Sequence, residues 1–162
     1  MKRLGPSPLF QHLQPDVYCV DTSAWFNIDR RPDADDVWVL ATALIQAGRI
    51  VACARVLAEL RIDPIYLTRF KPYESALQIG DCAPDDISYL MRVGQITHDF
   101  PAMSKATSVR TPADPYVVAL AQHYGYVVVT DDKKIRSACG KLAIRCLTLP
   151  EFVVTAGATM TP

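Results

Sequence analysis

Four short, mostly apolar runs alternate along this chain with segments of helical periodicity, an arrangement that leaves few folds open. Val17 to Val20 lies between Pro15 and Asp21, Ile50 to Cys53 forms the second run, and YVVVT and IRCL supply the others. Each is too short for a stable helix and reads as a buried strand. A helix is expected from about Asp35, where Val37, Leu40, Ala41, Leu44 and Ile45 fall at helical spacing and Gly48 can terminate it. A second follows directly in ARVLAELR, and a third in ISYLMRV, with Asp85 and Asp86 as favourable first-turn acids. TPADPYVVALAQHYG is the clearest, with Thr111 as N-cap, Pro112 at the first helical position and Gly125 at the end. A short helix over Lys133 to Cys139 and a last one from about Pro150 complete the order. Strands alternating with helices predict an α/β fold whose mostly parallel sheet is covered on both faces.

A chain of 162 residues fits one domain and can build a substantial core. Residues 1–16 read as an N-terminal extension, 17–155 as the domain and 156–162 as a flexible tail. Between Asp63 and Gln95 the helical pattern is interrupted by Pro64, Pro72, Gly80 and Pro84, and residues 97–110 form a polar connection with His98, Asp99, Ser104, Lys105 and Arg110.

Lysine plus arginine and aspartate plus glutamate each total 17, so net charge points to neither nucleic acid nor membrane. Five basic residues without an acid, Lys133, Lys134, Arg136, Lys141 and Arg145, fit either a solvated face or a phosphate-contacting rim. Five cysteines, an odd number without CxxC spacing, argue for a reducing cytosol and against a zinc site or disulfide framework. No apolar stretch has the length of a signal peptide or membrane span, and a cytoplasmic protein is expected.

Function is carried by where the acids fall. Ligands of open parallel sheets bind beyond the carboxyl ends of the strands, near the point where strand order reverses. Asp21 follows one strand, Asp131 and Asp132 follow another, Asp114 opens the helix before that second strand, and Glu59 lies on the helix after Ile50 to Cys53. Carboxylates brought together there repel unless a divalent cation neutralises them, and oxygen-only ligands suit Mg²⁺ or Mn²⁺. Such an ion serves phosphodiester hydrolysis. Each acid also has a local alternative: a turn or cap for Asp21, Asp114, Asp131 and Asp132, and a solvated helix position for Glu59.

The segments VDTS, RVLAEL, ADPYVVALA and VVVTDD, in this order and spacing, resemble the PIN domain, the nuclease fold of VapC-type toxins in bacterial toxin–antitoxin pairs. The resemblance runs from about Val17 to Phe152, and the ending IRCLTLPEF is similar to that of a PIN-like group of bacterial and archaeal proteins. It implies a Rossmann-type α/β/α sandwich, Mg²⁺ or Mn²⁺ as cofactor and cleavage of single-stranded RNA. It maps Asp21, Glu59, Asp114 and Asp132 onto the acidic quartet, with Asp131 assisting and Thr22, Ser23 and Thr130 positioning acids or bound water. It further implies a homodimer inhibited by a cognate antitoxin; within the basic run, Lys133, Lys134 and Arg136 are the expected RNA contacts. Residues 63–110 do not match the usual toxin pattern.

The expected activity is a metal-dependent endoribonuclease acting as the toxin of a type II module. The alternative is a catalytically silent PIN-like domain that binds RNA or serves as a scaffold. A response-regulator receiver is disfavoured because its acidic pair would follow the first strand, whereas here the pair comes late; a haloacid-type phosphatase would need DxDxT where this chain has DTSAW.

Overall fold

The computed structural model describes residues 15–79, 86–104 and 112–160. Five strands, β1 (Tyr18–Val20), β2 (Ile50–Ala52), β3 (Gln78–Ile79), β4 (Val127–Val129) and β5 (Cys146–Leu147), form one sheet in the order β3-β2-β1-β4-β5. Every neighbouring pair is parallel, with Tyr18 beside both Ile50 and Val127. β1, β2 and β4 are buried at every residue, which is why they read as unbroken apolar runs. The chain fills the sheet outward from β1 through β2 to β3, then returns to the other side of β1 with β4 and β5. The crevice beyond β1 and β4 is therefore the switch point of this topology.

The helices divide into two layers. On one side α1 (Thr22–Ile28), α2 (Ala34–Gln46), α3 (Ala54–Leu60) and α8 (Leu149–Met160) pack among themselves; on the other, α4 (Ile87–Asp99), α5 (Pro101–Ser104), α6 (Asp114–Tyr124) and α7 (Lys133–Lys141) do. The expected α/β/α sandwich is thus present. Tyr18 meets Phe152 of α8 edge to face with ring centroids 5.0 Å apart. Trp25 of α1 and Trp38 of α2 stack at 5.7 Å, and both set their faces against Phe70. Phe70 closes a π-helical turn, Tyr66–Phe70, so this aromatic trio fastens the proline-interrupted middle of the chain to the core. Among the described residues, no helix is long and apolar enough to cross a membrane.

Gly48, one residue past the end cap Ala47 of α2, and Gly125, directly after α6, adopt the left-handed conformation, φ 67° and 74°, as expected of helix terminators. Other boundaries differ from the sequence reading. α1 was not expected; its buried residues, Ala24, Trp25 and Ile28, occupy one helical face, but it spans only two turns and continues an apolar run. β3 was also missed, being two residues long. α6 starts at Asp114, with Ala113 as N-cap and Pro115 in the first turn, and not at Pro112; Thr111 lies outside the described residues. Asp86 is the N-cap of α4, its carboxylate accepting from the Tyr89 amide at 3.1 Å, while Asp85, Cys82, Lys105 and Arg110 lie outside the described residues. α7 runs two residues past Cys139.

The flexible tail expected at 156–162 is corrected through residue 160, because α8 continues to Met160. Ala156 is fully buried, and the buried Arg49 guanidinium donates to Thr159 Oγ1 and to the Asp16 carbonyl, both at 3.1 Å. One cation thereby joins the entry of β1 to the last turn of the chain.

Candidate functional site

At the switch point, Asp21 directly follows β1 and is 3% exposed. Its backbone amide continues the ladder to the Val129 carbonyl at 2.9 Å, and its side chain caps α1. Asp21 Oδ2 accepts from Ser23 Oγ at 2.6 Å, from the Ser23 amide at 3.3 Å and from Thr130 Oγ1 at 3.0 Å. Burial raises the Asp21 pKa, and these donors oppose the rise.

Thr130 is fully buried and joins the two strand ends. Its hydroxyl donates to Asp21 and accepts from the Asp132 amide at 3.0 Å. An ionised Asp21 has no proton to give, so it fixes the direction of that chain. Thr130→Val keeps the shape and removes both contacts. It is expected to lower stability by about 1–3 kcal/mol, read from urea denaturation in EDTA, because it leaves the Asp132 amide without its acceptor and takes one of three donors from the buried Asp21 carboxylate.

The other acids arrive from three further segments. Glu59, near the end of α3, accepts from Thr22 Oγ1 at 2.5 Å and from the Ala113 amide at 3.3 Å, so it spans the starts of α1 and α6. Asp114 is the first residue of α6. Its pKa rises to about 7, chiefly through burial and then through the charges of Asp21, Asp132 and Glu59, with Lys134 opposing. Asp132 caps α7, its Oδ1 accepting from the amides of Lys134 at 2.7 Å and Ile135 at 3.2 Å. Asp21, Glu59 and Asp132 thus all act on Asp114 electrostatically although they lie far apart in sequence.

Asp131 is engaged elsewhere. Its Oδ2 accepts from Asn27 Nδ2 at 2.8 Å and its Oδ1 from the Leu149 amide at 3.0 Å, so it ties α1 and α8 to the end of β4. Of the expected RNA contacts, Lys133 and Lys134 line a cleft between α5 and α7. Arg136 instead has Cys146 and Glu151 as its electrostatic neighbours. His98 is exposed beside Asp99, and His123 faces Asp86 at 3.4 Å, away from the quartet. Asn27 escaped the sequence reading; its position four residues after Ser23 is a signal only once α1 is recognised as a helix.

The donor set of the quartet is all oxygen and carries excess negative charge, both of which fit a hard divalent cation. Among the described residues, however, no three His, Cys, Asp or Glu side chains are gathered closely enough to hold an ion as they stand. Asp21, Glu59 and Asp132 are oriented by hydroxyl and amide donors of the chain itself.

Residues 18–160, which include all of these acids, match the family described as a domain of unknown function, DUF4411. The chain belongs to the DUF4411 family. Comparison with curated proteins gave no match. Among solved structures, this DUF4411 chain is similar to PAE2754 from Pyrobaculum aerophilum, with 15% identity and a TM-score of 0.56 over 88% of this chain and 96% of that one. It is also similar to DNA-bound VapBC from Salmonella typhimurium, at 19% identity and a TM-score of 0.53, covering 83% and 99% of the two chains. FitAcB from Neisseria gonorrhoeae gives 17% identity and a TM-score of 0.50, covering 82% and 98%. At these identities the shared property is the fold, which is PIN-like.

Proposed function

We propose that this DUF4411 protein is a metal-dependent endoribonuclease and the toxin of a type II toxin–antitoxin module. The observation that carries the reading is that Asp21, Glu59 and Asp132 lie close enough to act on Asp114 at the switch point of a parallel sheet. The similarity in fold to a VapBC assembly supports a two-component module with an antitoxin partner and a homodimeric toxin.

In this reading Asp21, Glu59, Asp114 and Asp132 hold Mg²⁺ or Mn²⁺. When bound, the ion would neutralise the cluster, lower the pKa of a coordinated water and stabilise charge on a phosphate oxygen. Ser23 and Thr130 fix the Asp21 carboxylate, and Thr22 fixes Glu59. Asp131 holds α1 and α8 in place without entering the quartet.

One observation favours the second reading, a silent RNA-binding or scaffold domain: Asp21, Glu59 and Asp132 already have donors from the chain, and the acids are not gathered around one point. A single assay separates the two. The protein is purified apart from the product of its neighbouring gene, stripped with EDTA and incubated with single-stranded RNA under increasing Mn²⁺ or Mg²⁺. Metal-dependent cleavage is expected. RNA retention without cleavage at every metal concentration would leave the scaffold reading in its place. Growth arrest on expression that disappears with Asp21→Asn identifies a toxin.

A further inference from the structure

We propose, building on the nuclease reading above, that the cleft between α5 and α7 is the channel for the RNA strand flanking the cleaved bond, with Lys133, Lys134 and Lys141 contacting its phosphates and Phe100 a base. The cleft has a volume of about 420 Å³ and is lined by Lys133, Lys134, Ser137 and Lys141 on its α7 side. Its α7 wall begins at Lys133, the residue after Asp132, and Lys134 is close enough to act on Asp114. A strand leaving the acids therefore meets positive charge at once.

The three lysines differ from four arginines of the described chain. Arg31, Arg61, Arg69 and Arg145 are each ion-paired with an aspartate or glutamate. The side chains of Lys133, Lys134 and Lys141 are exposed, and among the described residues none is in an ion pair. The one acid lining the cleft, Asp99, has an oxygen at 2.8 Å from Gln95 Nε2 and the other at 3.0 Å from His98 Nδ1. Lys133, Ser137 and Lys141 succeed one another at four-residue intervals, so they form a stripe along α7 that advances about 6 Å per step. A stripe of that repeat matches the succession of phosphates along an extended strand better than it matches one compact anion.

The opposite wall supplies the apolar component. Phe100 and the exposed Pro101 border the cleft, and the Lys141 ammonium stands 5.8 Å from the Phe100 ring centre. An aromatic ring beside exposed lysines combines the two devices by which single strands are bound without sequence readout, the Lys141 ammonium leaving the ring for a phosphate as a base takes its place.

Binding is read with the full chain in EDTA, where no cleavage occurs, from the fluorescence anisotropy of a short labelled single-stranded RNA over a range of salt concentrations. For Lys133→Gln/Lys141→Gln, affinity is expected to fall about tenfold, and the magnitude of the slope of log K against log salt to drop by about 1.4, about 0.7 for each phosphate contact removed. Phe100→Leu should weaken binding about fivefold with the slope unchanged, because stacking releases no counterions. Arg145→Gln, whose guanidinium is already paired with Asp16, serves as the comparison with little change. Wild-type affinity and slope in the double lysine variant, alongside metal-dependent cleavage by the wild type, would overturn the channel and leave the nuclease reading standing. Absence of both RNA binding in EDTA and cleavage in Mn²⁺ would overturn both. Capture of an acidic peptide in place of RNA, with the same lysine dependence, would also overturn the channel.

Discussion

Replacing Asp114 with asparagine is expected to reduce RNA cleavage by on the order of 10²–10³-fold or more while leaving the fold intact, and Asp21→Asn should do the same. Both acids belong to the cluster whose charges act on Asp114, and an amide cannot supply the anionic oxygen a hard cation takes. Loss of activity alone would not separate chemistry from unfolding; stability in EDTA does. Removing one of several like charges relieves repulsion, so the melting temperature of either variant near neutral pH should stay the same or rise. Asp131→Asn supplies the contrast. Both carboxylate oxygens of Asp131 accept hydrogen bonds, from Asn27 and Leu149, and asparagine can accept at only one of them. Its melting temperature should fall, by the equivalent of about 1–2 kcal/mol, and cleavage should decline far less than in the quartet variants. Single-turnover cleavage and thermal denaturation measured on the same preparations test the whole pattern. Full activity in Asp114→Asn would show that the reaction takes place elsewhere.

That Asp21, Glu59 and Asp132 lie near enough to act on Asp114 was legible because it follows from topology. Carboxylates placed at the ends of β1 and β4, at the start of α6 and on α3 must approach one another once the sheet order reverses at β1. The division of labour between Asp131 and Asp132 was not legible. Successive residues leaving a strand project to opposite sides, and which one faces the crevice depends on the path taken after β4. Here Asp132 turns to cap α7 and Asp131 reaches α1 and α8. The start of α6 was misplaced because two prolines, Pro112 and Pro115, both suit a first turn, and because one of its early amides, Ala113, is satisfied by Glu59 from another segment. A cap supplied by tertiary structure leaves no local signature. The end of α8 was hidden for a similar reason: small residues such as Ala156 and Gly157 resemble a tail until Arg49, more than a hundred residues earlier, reaches Thr159.

Crowding of the acids also predicts an unusual dependence of metal-free stability on pH. The Asp114 pKa is raised from 3.8 to about 7 in the folded state, so between these values the native protein retains a proton that the unfolded chain has released. Stability in EDTA should therefore fall as pH rises from about 4 to about 7 and level off above that. Asp21, raised by burial, acts in the same sense. Asp33, Asp99 and Glu151 are shifted downward, and the stability they contribute is already in place by about pH 5, so they do not offset the decline at higher pH. Because Asp114 is only partly buried and its field is screened by water, the decline should be on the order of 1–2 kcal/mol. A divalent ion should reverse it. Mn²⁺ at a hundredfold excess over its Kd would add about 2.7 kcal/mol, with the largest gain near and above pH 7, where Asp114 loses its proton. Asp114→Asn should flatten the profile in EDTA and remove most of the response to Mn²⁺. Urea denaturation at several pH values, with and without Mn²⁺, measures both effects. Stability that is level or rising between pH 4 and 7, together with a melting temperature indifferent to Mn²⁺ at pH 8, would show that these carboxylates neither crowd one another nor share an ion.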